Sequence, residues 1–220
     1  MQKNLAVDKF FSSTIKSLDA VVSKIHKGGH GAPGAIFCVL SSPWHVSQTR
    51  VVKLEKNTPF VFTTKLADSL IQKEIALFEE EYLAKYQDTL SPVESIEFKN
   101  IKTMLNGYES PNPLNQKAHE LEMTIFFSIS PKQVLKKIEQ TVAKYFFFKK
   151  IKFSSFTLSS FAVVRDAFTD DDDFLLMDID GEVTDISMAK KNLLRESISF
   201  PLGCNFIARR AATLLRSSVG

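Results

Sequence analysis

The stretch Phe174–Ile186, FLLMDIDGEVTDI, combines residue types that could bind a phosphate group. An apolar run ends in Asp178, a tight turn follows at Gly181, and a second alternating run opens with Thr184 and Asp185. This pattern predicts two strands joined by a tight turn, with polar side chains gathered at the turn. A glycine lets backbone N–H groups approach a phosphate closely, and such N–H groups form anion-binding concavities. The stretch therefore suggests a nucleotide-binding fold.

Two further acidic residues, Asp180 and Glu182, flank the glycine of this turn. They stand where a phosphate would have to lie, and negative charges at short range repel one another. The turn is therefore either a functional phosphate-binding site or a strand–turn–strand structure that no longer binds phosphate.

Composition and charge exclude several function classes. At 220 residues the chain has room for one large or two small domains, and its net charge of +3 is too small and too evenly spread to indicate nucleic-acid binding. No apolar run approaches the roughly 20 residues that cross a bilayer, and the N-terminus is amphipathic, unlike a signal peptide. Cys38 and Cys204 both stand in apolar runs, so we expect buried thiols in a reducing cytoplasm.

A glycine-rich loop, HKGGHGAPG, follows a predicted long amphipathic helix at the N-terminus. It contains the pattern G-x-G-x-x-G, but dinucleotide binding needs a strand before that pattern and a helix after it. Here the predicted order is the reverse, which favours a flexible connector. His26 and His30 could ligate a metal, but no further ligands stand near them in the sequence, so we expect no metal site.

Periodicity predicts alternating strands and helices for the rest of the chain. The clearest strand alternates Leu121, Met123, Ile125, Phe127 and Ile129 with polar residues. The other predicted elements are strands at Ala35–Leu40, Arg50–Leu54 and Ser95–Leu105, a helix capped by Thr63 or Thr64 and extending to Tyr86, a helix with Ser130 as N-cap and Pro131 at its first position, a short strand and helix over Phe153–Phe168, a third strand after the phosphate-like turn at Leu193–Phe200, and a basic closing helix.

The segment Lys144–Phe153, KYFFFKKIKF, interleaves basic and aromatic residues. Such a pattern could contact nucleic acid or a membrane surface. It also fits the end of a helix, whose lysines complement the helix dipole, followed by a new strand. We favour this structural interpretation.

The order of these segments resembles a family of bacterial actin-like proteins that includes the cell-division protein FtsA and the pilus-assembly protein PilM. The resemblance covers nearly the whole chain, and it is carried by the order and spacing of several weak motifs. These motifs are SSPWHV, FTTKLADSL, NGYESPNPLNQKAHELEMTIFFSI, DIDGEVTDIS and ISFPLGCNFIARR.

The resemblance implies a role for the residues of the phosphate-like turn. The family's second phosphate motif reads Asp-Ile-Gly-Gly-Gly-Thr-Thr-Asp, and Asp178, Gly181, Thr184 and Asp185 match it. Asp180 and Glu182 replace glycines, Val183 replaces a hydroxyl residue, and Cys204 and Ala208 depart from the family's next turn. The resemblance also begins after the family's first phosphate loop. We therefore expect a degenerate cofactor site with no catalytic residues, which would take ATP and magnesium only if the missing loop is supplied.

The fold implied is α/β, a partial actin-like (ribonuclease-H-like) architecture with an inserted strand–helix–strand–strand subdomain. Its expected parts are 1–34, a helix of the first large subdomain plus the glycine-rich loop; 35–148, the inserted FtsA-type subdomain; 149–169, a return to the first large subdomain; and 170–220, the start of the second, with a three-stranded meander and a helix.

The function implied is a non-catalytic scaffold or adaptor in bacterial cell division, which recruits partners through the inserted subdomain. The alternative within the family is a PilM-like component of type IV pilus or secretion assembly. Expected partners are division or pilus proteins, the cytoplasmic tails of membrane partners and further copies of the chain, at the inner face of the cell membrane. An ATPase of the same superfamily is a rival that needs an upstream Asp-x-Gly loop. A third alternative is an unrelated ligand-binding or adaptor domain without the meander after Asp173.

Overall fold

The computed structural model describes residues 2–85, 92–147 and 150–217, and strands and helices alternate along most of this length. In chain order the elements are α1 Gln2–Lys27, β1 Ile36–Leu40, β2 Val46–Val61, α2 Thr64–Lys85, β3 Val93–Leu105, β4 Tyr108–Glu109, β5 Lys117–Pro131, α3 Lys132–Ala143, β6 Ile151–Ser155, α4 Phe156–Ala167, β7 Phe174–Ile179, β8 Thr184–Lys190, β9 Leu193–Phe200 and α5 Cys204–Ser217.

The largest sheet is antiparallel, with four strands in the order β2-β5-β3-β4. The predicted alternating strand is its centre, β5, and both of its faces are covered. On one face Phe127 packs edge-on against Phe78 of α2, with ring centroids 5.0 Å apart. On the other face Phe126 is fully buried in a cluster with Phe161 of α4 and Leu194 of β9. This sheet therefore joins the middle of the chain to its C-terminal third.

A second sheet has two parallel strands, β1 and β6, with Ile36 opposite Ile151. Helices α1 and α3 cover one face of it, and Val22, Leu40, Ile138 and Ile151 share that core. The sequence analysis assigned Ala35–Leu40 to the inserted subdomain. In the structure the corresponding strand, β1, pairs in parallel with β6. The long segment between the two strands provides the crossover connection that a parallel pair requires. The domain boundaries themselves stay a prediction, and the one at 148/149 lies outside the described residues.

The third sheet is the predicted three-stranded antiparallel meander, in the order β7-β8-β9. Lys191 and Asn192 connect β8 to β9 with φ of 53° and 56°. Positive φ at both central residues is the requirement of a two-residue type I′ hairpin turn. The meander is therefore present after Asp173, as the actin-like interpretation requires.

Several local predictions differ from the structure. Strand β2 starts four residues before the predicted Arg50 and ends seven after Leu54. Helix α3 begins at Lys132, so Pro131 stands at the N-cap instead of the first helical position. Ser130 does not cap it, because its hydroxyl donates to the Trp44 carbonyl at 2.7 Å.

Two further predictions concern a helix cap and the cysteines. The Thr63 hydroxyl accepts from the Leu66 N–H at 3.2 Å, which confirms Thr63 as the cap of α2; the predicted end of that helix at Tyr86 lies outside the described residues. Cys38 is a half-buried free thiol, and burial raises its pKa to about 11. The expectation of a buried Cys204 is wrong, since this residue opens α5 and is exposed. Within the described ranges, no helix is long and apolar enough to span a bilayer.

Candidate functional site

The phosphate-like turn lies between β7 and β8, as the sequence predicted. Asp178 is directly opposite Asp185 in the strand pairing. The Asp180 N–H donates to the Val183 carbonyl at 3.0 Å and closes the turn. The Thr184 hydroxyl donates to the Leu202 carbonyl, which ties β8 to the segment before α5. The predicted site residues therefore stand together, although their role in cofactor binding stays a prediction.

The turn fits closely against the start of α5. The Cys204 N–H donates to the Asp180 carbonyl at 2.9 Å, and the Asn205 N–H donates to the Gly181 carbonyl at 2.8 Å. A Cβ atom at Gly203 would lie 2.3 Å from the Asp180 carbonyl oxygen and 2.5 Å from Gly181 backbone atoms. Only a glycine at position 203 lets these two backbone segments meet. The N–H groups of the first α5 residues, which could bind an anion, are thus bonded to the protein's own carbonyls.

The Glu182 side chain points at the same helix. Its two carboxylate oxygens accept from Nη1 and Nη2 of Arg209, both at 2.9 Å, and Oε1 also accepts from Asn205 Nδ2 at 3.1 Å. The hydrogen bonds from Arg209 and Asn205 lower the pKa of Glu182 to about 2. Glu182 is therefore a carboxylate paired with Arg209 and Asn205. The expected repulsion of a phosphate by Asp180 and Glu182 stays a prediction.

The two aspartates behind the turn have different surroundings. Asp185 is 9% exposed, and its Oδ1 has no hydrogen-bond partner among the described residues. Burial raises the pKa of Asp178, and the nearby carboxylates of Asp180 and Asp185 raise it further. No cation neutralises this pair in the described part of the chain, since the ion pairs there involve other carboxylates.

A cavity of about 490 Å³ opens beside Asp185. It lies between the turn after β1, the first turn of α4 and the meander, and none of its lining residues is a lysine or an arginine. His45 lines it and is buried; Nε2 lies 3.5 Å from the Thr157 hydroxyl, and Nδ1 has no partner among the described residues. Burial lowers the pKa of His45, against the opposing effects of Asp185, of a backbone contact with Ser41 and of Glu97. The cavity lining therefore includes no lysine ammonium or arginine guanidinium that could pair with a phosphate.

Glu97 positions the helix that carries Thr157. It stands at an irregularity in β3, and its carboxylate accepts from the Ser128 hydroxyl and the Ser155 N–H, both at 2.9 Å. The hydroxyls of Ser154 and Ser155 donate to it as well. Ser155 in turn caps α4 by accepting from the Leu158 N–H at 3.2 Å. One carboxylate therefore connects the large sheet, β6 and the start of α4.

Two residues of the other sequence features, His26 and Lys144, make contacts within the fold. His26 belongs to the last turn of α1 and packs against Tyr145 and Phe146, with ring centroids 6.0 Å and 5.4 Å away. Lys144 donates to Asp19 at 2.7 Å, which links α3 to α1. In the ranges that the structure describes, no three histidine, cysteine or acidic residues are grouped to hold a metal ion.

Comparisons with known proteins decide the fold. No protein-family model and no curated protein matches the sequence. Among solved structures, a chain of the PilM-PilN type IV pilus biogenesis complex is similar, with a TM-score of 0.53 and 12% sequence identity. The mixed α/β fold is therefore PilM-like and compatible with a partial actin-like architecture. The match covers 87% of this chain and 50% of that one, so this chain spans about half the length of the structure it matches.

The sequence predicted the phosphate-like turn but not the residues from other parts of the chain that lie around it. Glu182 and Arg209 are 27 positions apart. Sequence spacing predicts ion pairs only between residues three or four positions apart on one helix, so it could not predict this one. His45 was noted only as part of the SSPWHV motif, and the connections made by Glu97 left no signal in the sequence. A glutamate in an alternating strand is normally a solvated residue.

Proposed function

We propose that this chain is a non-catalytic actin-like scaffold in the assembly of a pilus-type machine, where it binds membrane-anchored partners. The likeness to a chain of the PilM-PilN complex supports this alternative better than the division role. No comparison supports an FtsA-like function, so the division role is not carried further.

The closed phosphate-like turn is the observation on which the non-catalytic part of the proposal rests. A phosphate bound between this turn and α5 would use free backbone N–H groups, and a free cation there would help to neutralise its charge. Here the carbonyls of Asp180 and Gly181 take the N–H groups that open α5, and Glu182 takes Arg209. A phosphate that used the N–H groups at the start of α5 or the Arg209 guanidinium would have to break these contacts. In this proposal ATP with magnesium binds only if another chain supplies the first phosphate loop.

The region that contacts partners is proposed to be the large sheet with α2. Apart from the two-residue strand β4 between β3 and β5, the order β2, α2, β3, β5 is compatible with the strand–helix–strand–strand subdomain that the family resemblance implied. Helix α2 covers one face of the sheet and keeps an exposed side that includes Leu77 and Leu83. We propose that the cytoplasmic tail of a PilN-type membrane protein binds this region. The chain would then work in the cytoplasm, at the inner face of the membrane.

The partner proposal is tested by direct binding. The purified chain is titrated with the cytoplasmic tail of a PilN-type protein from the same source, and with the tail of a division protein as the comparison. We expect saturable binding to the PilN-type tail with a dissociation constant below about 100 µM, unchanged by ATP and magnesium. Binding to the division tail alone, or to neither tail, would contradict the proposal.

A further inference from the structure

We draw no further inference here: the strongest candidate, the hydroxyl-lined cavity beside the buried Asp185 and His45, between the turn after β1, α4 and the meander, belongs to the site already described, and nothing in the structure shows what fills it.

Discussion

Glu182 and Arg209 form a two-point ion pair between the phosphate-like turn and α5, with both N–O distances at 2.9 Å. Their side chains are 43% and 62% exposed, so the pair contributes little to stability by itself. Its importance is positional. Arg209 is the cation that the helix presents to this turn, and a side chain of the same protein already neutralises it. A ligand phosphate would have to compete with an attached carboxylate.

The first prediction is the pH dependence of this pair. The folded pKa of Glu182 is about 2 and the reference value is 4.5, so the folded state favours the charged form. The stabilisation is therefore complete above pH 4.5 and disappears as the pH falls through about 2. Glu182→Gln should lower the free energy of unfolding near neutral pH, and this difference should shrink below pH 4.5 and be lost only below about pH 2. Urea titrations at several pH values measure the difference, and a difference that grows on acidification would contradict the assignment.

The second prediction compares two glycines. Gly203→Ala should destabilise the protein by about 3 kcal/mol, because its Cβ would overlap backbone atoms that cannot move independently. Gly181→Ala is the matched control. Its Cβ would meet the side chain of Asn205, with Nδ2 nearest at 2.8 Å, and a side-chain amide can turn away. Thermal unfolding measures the stability of both variants. Equal decreases in melting temperature would show that the turn at Gly181 and the backbone at Gly203 are not in close contact.

The sequence predicts the strand–turn–strand and the meander because period-two patterns and turn residues are local signals. It does not predict that the two turns at Gly181 and Gly203 interlock. That contact depends on how the 21 residues between them bring two backbones together. The pairing of β1 with β6 is missed for the same reason. Paired residues of the two strands, such as Ile36 and Ile151, are 115 positions apart in the sequence. Both strands are also short apolar runs, and such runs do not indicate which sheet they join.

The third prediction concerns Glu97. Glu97→Ala should lower the free energy of unfolding by about 3 kcal/mol, since several donors in β5, β6 and the cap of α4 lose a charged acceptor at once. Glu94→Ala, on the exposed side of the same strand, is the control and should change stability little. Urea unfolding measures both. A Glu97 variant as stable as the Glu94 variant would show that these hydrogen bonds do not connect the sheets.

The fourth prediction concerns His45. Burial lowers its folded pKa below the reference value of 6.5, so below pH 6.5 the unfolded chain takes up a proton that the folded chain resists. Stability should therefore fall as the pH decreases from 6.5 toward the folded pKa. His45→Gln should remove this part of the pH dependence, whereas His119→Gln, at an exposed position, should leave it. A wild-type stability that does not change over this range would contradict the burial of a neutral His45.

Part of the candidate site was foreseen from local sequence, and its electrostatics were not. The four residues Asp178, Gly181, Thr184 and Asp185 were identified because the motif is contiguous. The charge state of the turn depends on Arg209, and the cavity wall depends on His45 and Thr157, which approach from distant parts of the chain. Sequence spacing cannot show which carboxylate finds a partner. Glu182 does, and Asp185 Oδ1 has none among the described residues.

The measurement that tests the account most directly is a thermal-unfolding titration of the chain with ATP and magnesium. A ligand present at 100 times its dissociation constant adds about 2.7 kcal/mol of stability, which shifts the melting temperature by several degrees. A scaffold whose phosphate-like turn is closed by Glu182 and the start of α5 should show no shift at millimolar nucleotide. A saturable rise in melting temperature that requires magnesium and is lost in Asp178→Ala would contradict it.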